Sequence, residues 1–490
     1  MLHSIFKNSL YKGALNFFNL VLPLLVTPYL YRILSPETIG QVEYSTSIFG
    51  YFSLFGVLGI YNYGLREVSK NRDRQEKVKS IYANLFLIGC LSNFIVACIY
   101  LLFIRLSFYS SPMYLLLLIT SLNFISNIFY TEWINEAFED FKFIAIKTII
   151  IRSLYAIGIL LFVKEPDDVW IYLLLLVLSN FLNYIVGFIY ARRYTDFSLF
   201  SLKWSRCNIS FMLYLPPLLF ILLLNNSSVF YTLLDRLMLG TYCGADSVAF
   251  YSVGQKIMEI TRSLLLTLTF VTLPRLSYYL NNQYDLYLLN LNKLIHIVLM
   301  LAIPMGIGLM LLSHSIVLVF AGSQYSEAVW PLCIFGFRFI TLMVENITAQ
   351  QTMFLHGKEK IIALCNAMWG VCNLLLNYLF VKIGVFTPST AIATTLFAEL
   401  GLLTTELWYI KTRLNIRIVL FTKDSGIYFL LSLCFVPIIA GFKLCIMNGV
   451  VFFVLSILAC VMFYILILYL LKNKVLIEVL NHFVPSMKMK

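Results

Sequence analysis

The residues with chemistry to offer are charged side chains set inside long apolar runs. Residues 248–272 carry Lys256, Glu259 and Arg262, and 328–350 carry Arg338 and Glu345. Arg152 interrupts 143–163, Glu399 and Glu406 stand seven apart within 389–410, and Arg32 and Asp235-Arg236 close the runs 14–33 and 211–234. In a bilayer such a charge costs about 2.5–3.5 kcal/mol at the centre on insertion scales, so it normally faces water or a partner. On a helical wheel Ser252, Gln255, Lys256, Glu259, Arg262, Ser263 and Thr267 share one arc, opposite an apolar face. That arc suits a wet cavity; i,i+3 pairing of Lys256 with Glu259 and of Glu259 with Arg262 is the alternative, and both can hold together.

Arg32, Arg152, Arg236, Lys256, Arg262 and Arg338 are therefore candidates for an anionic ligand, above all a phosphate, which arginine grips in bidentate fashion. Snorkelling serves equally for Arg152, interfacial anchoring for Arg32 and Arg236, and Asp235 can simply pair with Arg236. Asp235, Glu259, Glu345 and Glu399 are candidates for a coupling ion, H+ or Na+. Glu406 could join Glu399 there, unless the interface solvates it. The 31 tyrosines and six tryptophans can stack on sugar rings, although most belong to interfacial belts.

These side chains need helices to position them. Of 490 residues 60% are apolar and 12% charged, with mean hydropathy +0.86. Soluble domains lie near half apolar and a quarter charged, which excludes a soluble globular protein. At roughly 20 apolar residues per span, helices are expected near 14–33, 41–63, 81–104, 113–131, 143–163, 169–190, 211–234, 248–272, 293–320, 328–350, 361–383, 389–410, 425–445 and 449–471. The expected class is an all-α polytopic membrane protein of about fourteen transmembrane helices. An even number puts both termini on one side. With that side cytoplasmic, 26 Lys and Arg fall in cytoplasmic segments, Lys142 and Lys147 among them. Six fall outside, and Arg152, Lys256, Arg262 and Arg338 lie within helices. That alternation is the positive-inside pattern, and it assigns the +12 charge to topology, not to nucleic acid.

The first apolar run is too long for a signal peptide and no A-x-A site follows, so an uncleaved helix is expected. The ten cysteines show no CxxC or metal spacing and read as apolar filler. No connection has room for a soluble catalytic domain, and neither a phosphate-binding G-x-x-x-x-G-K-[ST] nor H-E-x-x-H occurs. Transport without hydrolysis is the expectation: no enzyme, no cofactor, no metal.

A faint repeat divides the chain. Tyr31-Arg32, Glu43-Tyr44-Ser45 and Arg66 are echoed by Asp235-Arg236, Phe250-Tyr251-Ser252 and Pro274-Arg275, and Arg66 is counted with the candidate binding residues. Parallel repeats of this kind are related by an axis along the membrane normal, with the pathway between the halves; chance similarity in aromatic-rich sequence is the alternative. The same stretches resemble a known family. They are Pro28-Tyr29-Leu30-Tyr31-Arg32-Ile33-Leu34-Ser35-Pro36-Glu37 with Gly40, Leu58-Gly59-Ile60-Tyr61-Asn62-Tyr63-Gly64-Leu65-Arg66-Glu67, Asp235-Arg236-Leu237-Met238-Leu239-Gly240, Tyr251-Ser252-Val253-Gly254-Gln255-Lys256 and Leu273-Pro274-Arg275-Leu276-Ser277. Asn366, Asn373 and Asn377 before Thr390-Ala391-Ile392-Ala393-Thr394 add to them. Together, over residues 1–410, they resemble the polysaccharide (O-antigen-type) flippases of the multidrug/oligosaccharidyl-lipid/polysaccharide exporter superfamily. Ser35-Pro36 departs from the family's usual Gly-Pro.

The resemblance implies two six-helix lobes, 1–200 and 201–415, with two further helices and a cytoplasmic tail over 416–490. It implies transfer of a polyprenyl-pyrophosphate-linked oligosaccharide across the bacterial cytoplasmic membrane by alternating access around a cationic lumen. Arg338, Lys256, Arg262 and Arg32 would meet the pyrophosphate or acidic sugars. Implied partners are that lipid-linked oligosaccharide, membrane lipids, a coupling ion and other polysaccharide-assembly membrane proteins. An ion-coupled multidrug exporter or a lipid II flippase of the same superfamily is the nearest alternative, and an embedded glycan polymerase a more distant one.

Overall fold

The computed structural model describes residues 2–195 and 211–483, and every regular element among them is helical. The first ten helices are α1 (Leu2–Ile33), α2 (Pro36–Val57), α3 (Ile60–Lys70), α4 (Gln75–Phe108), α5 (Tyr114–Ser121), α6 (Asn123–Ile128), α7 (Glu132–Ala137), α8 (Phe141–Phe162), α9 (Val169–Thr195) and α10 (Phe211–Tyr242). Then follow α11 (Ala245–Asn282), α12 (Tyr284–Leu311), α13 (Ser313–Phe320), α14 (Val329–Asn346), a π-helical segment (Ile347–Phe354), α15 (Glu359–Lys382) and α16 (Pro388–Arg413). The chain ends with α17 (Lys423–Leu433), α18 (Phe435–Cys445), α19 (Gly449–Leu470) and α20 (Lys474–Phe483).

All fourteen expected spans fall on helix. Among the described residues twelve helical stretches are long and apolar enough to cross a membrane, so this is a multi-pass membrane protein. The twelve omit α10 and α16. α16 is diluted by Glu399, Glu406 and five threonines between Thr390 and Thr405. The expected lobe boundary at 200/201, Lys203, Arg206, Lys488 and Lys490 lie outside the described residues.

Several expected single helices are broken. The second span divides at Leu58 (φ +50°) and Gly59 (φ +72°), both left-handed, a conformation that glycine adopts without steric cost. The fourth becomes α5 and α6, with α7 just past its expected end, the ninth divides at Leu312 and the thirteenth at Cys434, while the tenth widens into the π-helical segment. Breaks flanked by leucine and phenylalanine leave no trace in hydropathy. Helix starts were better marked. Ser35 precedes α2 and accepts a hydrogen bond from the Thr38 N–H at 3.2 Å, with Pro36 in the first turn. This gives serine a physical role at the position where the resembling family commonly has glycine. Thr387-Pro388 opens α16 the same way.

Two compact units make up the chain, Met1–Ala249 and Phe250–Lys490, divided inside α11. In the first, a core of Tyr82, Phe86, Trp133 and Phe188 holds α4, α7 and α9 together. Gly40 admits the backbone of Ala245, whose carbonyl oxygen would lie 1.8 Å from a Cβ there. In the second, the Tyr464 hydroxyl of α19 donates to the Met300 carbonyl of α12 at 2.8 Å, tying the C-terminal helices to that unit.

Candidate functional site

In the first unit a polar cluster forms where α7, α8 and α9 meet. Lys147 was expected in a cytoplasmic segment; it lies instead within α8 and is buried. Its Nζ donates to Glu132 Oε2 at 2.7 Å and to the Asn183 carbonyl at 3.1 Å. Burial at that depth is tolerable because the partner charge and a carbonyl replace water. The Tyr61 hydroxyl donates to Glu136 Oε2 at 2.7 Å. Its ring stacks on Tyr130, with centroids 5.8 Å apart and planes at 7°, and Tyr130 leans on Tyr184 at 4.6 Å.

Arg152, on α8, donates through Nη1 to the Asn19 side-chain oxygen and interacts electrostatically with Tyr155 and Tyr184. Asn19 is neutral, so this hydrogen bond leaves the arginine charge uncompensated. Arg236 differs. Its Nη1 donates to Glu43 Oε2 of α2 at 3.0 Å, beside a fully buried Asp235. Arg32 and Arg66 are exposed, Arg66 beside Glu67 at 3.2 Å and over the Tyr63 ring at 5.6 Å.

The second unit holds the other cluster. Arg338 is 3% exposed and Glu399 2%. They form a bidentate pair, Nε to Oε2 at 2.8 Å and Nη2 to Oε1 at 2.6 Å, across α14 and α16. A candidate anion-binding residue and a candidate ion-coupling residue thus neutralise each other. Arg262 lies 3.8 Å from Glu259, whose side chain is 49% exposed. The polar arc of α11 runs from buried Ser252 and Gln255 to that open end, with Lys256 half-buried between. Glu345 is half-buried and within the fields of Arg262 and Glu399. Glu406 is fully buried and meets the Thr348 hydroxyl at 2.6 Å.

Sequence reasoning found Arg152, Lys256, Arg262 and Arg338 within helices but missed Lys147 and several partners. Glu132 and Glu136 sit one turn apart in α7, just past the expected end of the fourth span, a usable signal. Glu43 belongs to the repeat, where it had no role. With Glu43 paired to Arg236 and Glu132 to Lys147, the uncompensated cation at membrane depth among the described residues of the first unit is Arg152. Among the described residues no three His, Cys, Asp or Glu side chains converge to hold a metal.

An all-helical, multi-pass chain with a buried ion pair in each of its two units shares its fold with solved flippase and multidrug-exporter structures. A lipid II flippase, MurJ, in its inward closed conformation superposes with a TM-score of 0.71 over 96% of this chain and 100% of that one, at 17% identity. An inward-facing multidrug-resistance MATE family transporter superposes with a TM-score of 0.55 over 81% of this chain and 96% of that one, at 12% identity. The chain itself belongs to the polysaccharide biosynthesis protein family, which matches residues 5–280. It is 22% identical to a protein of Shigella dysenteriae named as an O-antigen transporter, over 80% of this chain and 96% of that protein. A protein of the same name from Escherichia coli strain K12 is also 22% identical, over 82% and 94%. The family is thus that of the polysaccharide biosynthesis proteins, and the fold is one shared with a lipid II flippase and a multidrug-resistance transporter.

Proposed function

We propose that the protein flips a polyprenyl-pyrophosphate-linked oligosaccharide from the inner to the outer leaflet of the bacterial cytoplasmic membrane, for surface polysaccharide or O-antigen assembly. It does so by alternating access of lobes 1–200 and 201–415, with both termini cytoplasmic and an ion gradient as the driving force. The observation that carries this reading is Arg152. It is a cation held inside a membrane helix by a neutral amide and set among Tyr155 and Tyr184, the latter continuing into Tyr130 and Tyr61. A guanidinium grips phosphate or a sugar carboxylate, and a row of tyrosine faces suits sugar rings. In the second unit an apolar cavity of about 380 Å³, lined by Leu301, Met305, Leu309, Phe435, Ile457 and Tyr464, suits a prenyl chain.

Deleting the protein from a strain without a redundant flippase should leave lipid-linked repeat units on the cytoplasmic leaflet and bare the cell surface. Normal surface glycan in that strain would refute the proposal.

A further inference from the structure

The Thr348 hydroxyl lies 2.9 Å from the carbonyl oxygen of Glu345 and 2.6 Å from Oε2 of Glu406. A hydroxyl has one proton to give, and two acceptors share it if Glu406 is ionised. Both contacts are full hydrogen bonds once Glu406 brings a proton of its own. Oε2–H then donates to Thr348 Oγ1, and Thr348 donates to the Glu345 carbonyl. Glu406 is 0% exposed, its Oε1 has no hydrogen-bond partner, and no ion pair reaches it among the described residues. A carboxylate stripped of water and left without a cation is among the costliest groups to bury.

Among the described residues the neighbouring helices bring no ion pair to Glu406. α14 brings Glu345, which adds negative charge, and Arg338, which Glu399 of α16 already grips. The π-helical segment brings Thr348 and Gln351, both neutral, and α15 brings Cys365. Arg262 of α11 acts on Glu345 and lies 3.8 Å from Glu259.

We propose that Glu406 is a proton-carrying site of the transport cycle, its proton held as Oε2–H against Thr348 and released when the π-helical segment shifts. The proposal rests on the transport reading above and identifies the coupling ion as a proton. On loading, a hydronium ion gives its proton to Oε2 and departs as water; on release, water takes the proton back and the carboxylate remains. The segment that holds Thr348 is suited to move. π-helix is rare and often marks functional positions. Here side chains from outside clamp it: Gln351 Nε2 donates to the Thr269 carbonyl of α11 at 2.8 Å, and the Tyr287 hydroxyl of α12 donates to the Gln351 carbonyl at 3.0 Å. Removing the proton leaves one hydroxyl hydrogen between the Glu406 carboxylate and the Glu345 carbonyl, which weakens the tie of Thr348 to its own helix and links the charge on Glu406 to this segment.

Infrared difference spectra of the purified full chain in proteoliposomes, taken across a pH titration, test the site without any glycan. The expected wild-type signal is a carbonyl-stretch band of a protonated carboxyl. It shifts in heavy water, bleaches as pH rises, and is indifferent to replacing potassium by sodium. Glu406→Gln should remove the band, and export by this variant should lose its dependence on a pH gradient. Thr348→Val should keep the band at higher frequency, and this variant reports on the site even where Glu406→Gln fails to fold. A spectrum lacking the band would overturn the proposal, as would a band retained in Glu406→Gln or bleached by sodium at constant pH. A band unchanged across the titration would mark a structural proton and overturn the carrier role. Because the spectra need no substrate, loss of the flippase reading and loss of the proton site are separately visible.

Discussion

Arg338 and Arg152 look alike in the sequence, each one arginine in a long apolar run, and the structure gives them opposite situations. Arg338 is clasped by Glu399 through two hydrogen bonds. Removing one member of such a buried pair leaves the other charge stranded, at a cost of about 3–5 kcal/mol, whereas replacing both by apolar residues is often neutral. Arg338→Ala should therefore lower thermal stability in detergent sharply, and Arg338→Met combined with Glu399→Leu should restore most of it. Equal loss in the single and double variants would show that the pair is not compensating. Arg152 meets only a neutral Asn19 side chain in its hydrogen bond. Arg152→Ala should keep nearly wild-type stability while export falls at least tenfold, and Arg152→Lys should retain part of the activity; a normal export rate in the alanine variant would remove Arg152 from the site. The residue types were legible in the sequence. Their partners were not, because Glu399 is 61 positions from Arg338 and Asn19 is 133 from Arg152.

At the scale of elements, apolar length was enough to place helix on every expected span, since burying backbone polar groups in lipid leaves a chain little choice but helix. Where helices break was not legible. Leu58 and Gly59 continue an apolar run, and only the left-handed backbone at both, with Ile221 and Leu218 3.0–3.2 Å from a Cβ on Gly59, shows why α2 stops there. Nor was the π-helical segment legible, because it depends on Thr269 and Tyr287 from other helices. Gly40→Ala would drive a methyl group into the Ala245 carbonyl. With a backbone atom as the obstacle, overpacking should cost about 1–3 kcal/mol or more, read as a lower unfolding temperature; unchanged stability would mean that the start of α11 does not lie against α2.

For the whole molecule, the alternation of basic loops predicts which face of the membrane each loop occupies. Single cysteines at Asp73 and Asp167, both exposed, should label from opposite sides in intact cells: Asp167→Cys with a membrane-impermeant reagent outside, Asp73→Cys only after permeabilisation. Labelling of both from outside would invert or break the proposed topology. The chain belongs to the polysaccharide biosynthesis protein family and shares its fold with a lipid II flippase. The substrate is the claim that most needs a direct measurement. Purified protein in proteoliposomes loaded on one leaflet with a polyprenyl-pyrophosphate-linked oligosaccharide allows leaflet exposure of the glycan to be followed with an impermeant glycosidase. The account predicts that the glycan becomes accessible on the opposite leaflet, faster under an imposed pH gradient and slower with Arg152→Ala. A glycan that stays on its original leaflet, at the rate of protein-free vesicles, would contradict it.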